Sequence, residues 1–254
     1  MKKHQFIQKG IGFDNIADYG IILESKPVLD TILALDYDFE VISSYHLDYD
    51  WYYLEIDNIR IVFAVSQGAS MAVDLAERYI SSGVKKVIRI GTTGALVSDV
   101  RLGDYVIAYA AIKDEGTSRF YIKKESPAVA DIDFVMRISQ KLRNRGNTVN
   151  NGIVWSTDGR WKETDEAVVS RVSDGAISTD METSALYAFG IDRKTSVASI
   201  SVLSDEIYNS EGEQKGLSDK DVWFNMVLPK MAEAFKGFVE LVCEENDNEK
   251  RIID

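Results

Sequence analysis

Lys85–Leu96, KKVIRIGTTGAL, constrains this chain more than any other stretch. Val87, Ile88 and Ile90 are β-branched and apolar, the composition of a strand buried inside an α/β sheet. Arg89 interrupts that run, and a guanidinium in apolar surroundings requires an anionic partner. Gly91, Thr92, Thr93 and Gly94 follow, which reads as a glycine turn at the strand end. Glycines admit close backbone approach, and threonines add hydroxyl donors. Two readings fit: an oxyanion site at a strand end, or a strand arginine in an internal ion pair before an ordinary turn.

Length and charge narrow the classes. A chain of 254 residues with 45% apolar composition suits a single domain with a sizeable core over 1–254. The net charge of −12 speaks against nucleic acid or an anionic membrane as partner. Cys243 is the single cysteine, which removes an internal disulfide and a cysteine-based metal cluster. His4 and His46 are the two histidines, so a histidine-built zinc site is not expected, and no metal is assigned. Met1–Gly10 is polar, so no secretory leader is expected, and the cytoplasm is the expected compartment.

The apolar periodicity gives alternating elements. Ala17–Glu24 reads as a first strand, and Pro27 opens a helix to about Leu35. Trp51–Ile56 and Arg60–Val65 pair around Asp57–Asn58. Ser66–Ser70 leads into a helix over Met71–Ser82, with Ser70 as its cap. Asp104–Ile112 reads as one strand, Asp131–Arg145 as an amphipathic helix and Asn151–Thr157 as a strand. Ala176–Thr179 and Thr195–Leu203 are further strands, and Met181–Phe189 lies in a helix between them. Leu217–Glu245 is a long helix that Pro229 is expected to kink. The charged segment 246–254 is expected to fray. No internal repeat or linker divides the chain.

Three ordered motifs carry a resemblance. RIGTTGAL resembles the phosphate-binding strand and loop of the nucleoside phosphorylase family, which includes purine nucleoside and uridine phosphorylases. STDMETSALYA, Ser178–Ala188, resembles its ribose-binding Met-Glu segment, and SISVLSD, Ser199–Asp205, the Ser-Asp segment of its purine-cleaving members. Pro127–Asp131, PAVAD, is a weaker fourth match. The similarity implies a three-layer α/β domain with a central mixed, partly barrel-like sheet flanked by helices. It implies phosphorolytic cleavage of purine (deoxy)ribonucleosides, with inorganic phosphate as co-substrate and no cofactor. A uridine phosphorylase and a phosphate-independent nucleosidase are the alternatives.

The resemblance also implies residue roles. Asp205 is the acid that protonates the departing purine, with Ser204 orienting it or the base. Arg89, Gly91 and Thr92 bind phosphate. Glu182 holds the ribose hydroxyls, with Met181, Met71 and His4 as further ribose contacts. Arg160 and Trp161 occupy the base region. The sequence departs from the family at two phosphate ligands. A Gly-Asp-Pro-x-Arg turn is replaced by Glu24, Ser25, Lys26 and Pro27, leaving Lys26 as a point charge. Leu47, beside His46, stands where members place an arginine that reaches a neighbouring subunit. A homo-oligomer, a dimer or a hexamer of three dimers, is implied.

Overall fold

The computed structural model describes residues 16–42, 50–207 and 219–253, with 248–253 described through the backbone alone. Residue His4, with His46 and Leu47, lies outside the described residues. The strands are β1 (Tyr19–Leu23), β2 (Phe39–Ile42), β3 (Trp51–Ile56), β4 (Ile59–Val65), β5 (Lys86–Ala95), β6 (Tyr105–Ile107), β7 (Ala110–Asp114), β8 (Ala128–Val129), β9 (Val149–Asn150), β10 (Ile153–Thr157), β11 (Ala176–Asp180) and β12 (Ser196–Glu206). The longer helices are α1 (Lys26–Leu33), α2 (Ala69–Ser81), α3 (Ile132–Asn144), α4 (Asp165–Ser173), α5 (Thr183–Arg193) and α6 (Leu228–Ile253).

All twelve strands among the described residues join one mixed sheet that branches at β5. β1 pairs in parallel with β5 up to Leu23↔Ile90. β12 runs parallel along the whole of β5, and β11 meets its far end antiparallel at Gly94 and Ala95. One strand therefore sees three neighbours, and β1 stops halfway along it. The carboxyl ends of β1, β11 and β12 converge on the second half of β5, where parallel sheets generally place their ligands. Helices flank the sheet in two groups, α1 and α3 with α6, and α2 with α5, as the expected three layers require.

Hydrophobic burial holds this frame. Phe235 of α6 meets Phe63, Tyr37 and Phe39 edge-on, with centroids 5.6, 6.1 and 6.2 Å away. Phe238 on the same face packs on Tyr19 at 5.5 Å. Asp57 and Asn58 hold φ of 51° and 62°, the left-handed pair that a two-residue hairpin demands.

Several expectations need correction. Gly91–Gly94 is strand, not turn: β5 continues to Ala95 because β12 supplies hydrogen-bonding partners alongside. Asp104–Ile112 is two strands, since β6 pairs with β12 whereas β7 pairs with β10. Gly68 at φ 82°, rather than Ser70, occupies the cap position of α2. A π-helical turn, Trp223–Val227, precedes α6, where Pro229 lacks the N–H of a regular turn. α6 itself runs through Ile253, and the expectation of fraying over 246–254 is not tested by this. Among the described residues, no helix is long and apolar enough to cross a membrane.

Candidate active site

A single pocket forms where β1 ends against β5. Arg89 lies at its floor, 2% exposed. Its Nη2 donates to Glu182 Oε2 at 2.7 Å and Glu24 Oε2 at 3.2 Å, and its Nη1 donates to Ser201 Oγ at 3.0 Å. Asp180 Oδ2 stands 3.6 Å from Nη1. Burial alone would lower the guanidinium's pKa; the carboxyls of Glu182, Asp180 and Glu24 outweigh it and hold Arg89 charged. The side chain folds back over Gly91, where an added Cβ would fall 2.6 Å from Nη1. Gly91 is thus required by the arginine's path, not by a turn.

Glu182 stands at the start of α5, with its Oε1 accepting from the Gly68 amide at 2.6 Å. Burial raises its pKa against the opposing pull of Arg89, and the carboxyls of Asp180 and Glu24 raise it further. Asp180 anchors the same turn: it accepts from Ser156 Oγ at 2.6 Å and from the Thr183 hydroxyl.

Asp205 reaches the pocket through a bulge. β12 slips register between Leu203↔Thr93 and Asp205↔Gly94, so Ser204 is the extra residue and Asp205 is re-aimed. Gly94 makes room for it, since a Cβ there would meet Asp205 Oδ2 at 2.9 Å. Ser204 is buried and donates to Asp205 Oδ1 at 2.6 Å. Burial raises the Asp205 pKa; the Ser204 hydrogen bond and Arg160 oppose this, and Glu24 adds to it. Glu163 lines the same end, accepting from the Thr179 hydroxyl at 3.3 Å. Burial pushes its pKa up to about 7.

A family model for the phosphorylase superfamily matches residues 18–240, most of the chain. The chain belongs to the phosphorylase superfamily. Its relatives include nucleoside phosphorylases. A guanosine phosphorylase from Halorubrum lacusprofundi is 29% identical over 154 residues, which are 61% of this chain and 63% of that protein, so just under two thirds of the relative's length is spanned. A DeoD-type purine nucleoside phosphorylase from Bacillus cereus is 28% identical over 168 residues, 64% of this chain and 71% of its own. A uridine phosphorylase from Vibrio fischeri superimposes with a TM-score of 0.78 at 25% identity, covering 92% of this chain and 96% of that one.

Within this superfamily member, Arg89, Thr92, Met181, Glu182, Arg160 and Asp205 all line the one pocket. Ser204 sits directly behind Asp205. Four anticipated contacts among the described residues do not join them. Gly91 is covered by the Arg89 guanidinium and does not line the pocket. Lys26 is turned outward and pairs with Asp30 at 2.7 Å, because it heads the exposed face of α1. Met71 lies on the outer side of α2, 43% exposed. Trp161 is 89% exposed on a short 3-10 turn, where Arg160 lies 5.3 Å from its ring, and it does not line the pocket. Sequence reasoning missed Asp180, Glu163 and the inward turn of Glu24. Asp180 falls inside the recognised STDMET segment, the one signal that pointed to it.

Proposed function

We propose that this protein cleaves the N-glycosidic bond of purine (deoxy)ribonucleosides and transfers the pentosyl group to inorganic phosphate. The observation that carries the reading is a pair of carboxyls, the buried Glu182 and the half-buried Asp205, lining one pocket with Arg89. The bond breaks as the sugar gains cationic character and the base departs as a poor anion. Asp205, whose burial favours the protonated form, donates to the purine imidazole as it leaves. Glu182 retains acceptor capacity beside its bonds to Gly68 and Arg89, and accepts hydrogen bonds from the ribose hydroxyls. Met181 packs on the sugar. Arg89 with the amide and hydroxyl of Thr92 forms the anion seat. Phosphate is its own nucleophile, so the reaction needs neither metal nor cofactor, and the assembly is a homo-oligomer built from dimers.

Uracil offers no imidazole nitrogen to Asp205, and this favours purines. Uridine is the second reading, favoured by the likeness to the uridine phosphorylase. The test is a panel of inosine, adenosine and uridine with phosphate, following free base and ribose 1-phosphate. Purine nucleosides are expected to exceed uridine in kcat/KM by about 100-fold or more, the scale of one proton-transfer contribution. Preferential uridine cleavage would overturn the purine assignment, and no base release from any of them would overturn the activity.

A further inference from the structure

Glu24 follows the last residue of β1 and turns its carboxylate into the pocket. Its Oε1 accepts from the Thr92 hydroxyl at 2.6 Å. Its Oε2 accepts from the Thr92 amide and lies 3.2 Å from Arg89 Nη2. A backbone N–H, a hydroxyl and a guanidinium are the donors an oxyanion beneath the sugar would use, and a carboxylate of this chain already holds all three. The side chain is 12% exposed. Phosphate cannot share these donors with it, and a phosphate beside Glu24 and Glu182 would meet two further acidic groups. Lys26 does not offset this, because it is paired with Asp30 outside the pocket.

We infer that Glu24 selects the acceptor of the pentosyl group: seated on Thr92 and Arg89 it excludes phosphate and makes water the acceptor, and phosphorolysis proceeds only in molecules whose Glu24 has left the seat. The inference rests on the glycosidic-cleavage reading above. In the hydrolytic step a water oxygen bonds to the anomeric carbon as the bond from that carbon to the base breaks. The water proton passes to the Glu24 carboxylate. The bonding electron pair leaves with the base, which takes the proton of Asp205. Free base and ribose result, with nothing oxidised or reduced, and solvent returns the proton from Glu24 to Asp205.

The experiment compares the wild-type protein with Glu24→Ala and Glu24→Gln in three arms. Inosine without phosphate is followed for hypoxanthine and ribose, inosine with increasing phosphate for ribose 1-phosphate, and phosphate alone is titrated calorimetrically. Wild type is expected to yield ribose without phosphate, and both variants to lose about 100-fold of that rate, the scale of a general base. Both variants are expected to bind phosphate at least about tenfold more tightly and to be saturated by correspondingly less, on the scale of one removed charge–charge contact. Glu24→Gln keeps the size of the side chain, so its result is independent of any cavity left by alanine. Equal phosphate affinity in all three proteins, or wild-type ribose release that survives in both variants, overturns the inference. If no protein releases base under any condition, the cleavage reading has failed, and the calorimetric arm still decides whether Glu24 holds the phosphate seat.

Discussion

Glu163 shows what burial does to a single carboxyl in this pocket. Its pKa rises from 4.5 to about 7, chiefly through desolvation; the Thr179 hydroxyl opposes the shift and Asp205 adds to it. A folded-state pKa above the unfolded value means that the folded chain binds more protons between those two values. Stability from this group is therefore present at low pH and lost as pH rises from about 4.5 to about 7. Glu163→Gln is expected to remove that slope, on the order of 1 kcal/mol once solvent screening of this half-buried group is allowed for. Denaturant unfolding at about pH 5 and about pH 8 measures it; identical pH dependence in both proteins would refute the assignment. Arg89 was legible at this scale because a guanidinium among β-branched residues demands a partner. Asp180 and Glu163 were not, because polar residues around a strand end read the same whether they face solvent or a pocket.

β5 and β12 set the geometry as a pair of elements. The expected turn at Gly91–Gly94 rested on glycine's usual role, yet both glycines serve close approach within a strand: Gly91 to the Arg89 guanidinium, Gly94 to Asp205 and Ile207. Gly94→Ala would place a methyl 2.6 Å from Ile207 Cδ1 and 2.9 Å from Asp205 Oδ2, displacing the acid. A fall in kcat/KM of about 100-fold is expected, the scale of a small misplacement of a catalytic group. Steady-state kinetics with a parallel melting curve checks it; unchanged kinetics would show that Asp205 tolerates the shift. Hairpin and amphipathic helices were legible, since alternation and 3.6-residue spacing report burial directly. The bulge at Ser204 and the break between β6 and β7 were not, because both follow from which strand lies alongside.

Across the whole molecule, the pocket draws on segments from Glu24 to Ile207, and no single stretch contains it. The fold was therefore more legible than the site: each element announces its own periodicity, whereas the pocket exists only after β1, β5, β11 and β12 converge. The family motifs bridged that gap for Arg89, Glu182 and Asp205 and fell silent at Glu24, where the chain departs from the family pattern. The most direct test of the account is the pH dependence of base release from inosine by wild type and Asp205→Asn. The wild-type kcat/KM is expected to fall as pH rises through the raised pKa of Asp205, and the variant to be slower by about 10²–10⁴ and to lack that fall. A variant that releases hypoxanthine at the wild-type rate, with the same pH profile, would contradict it.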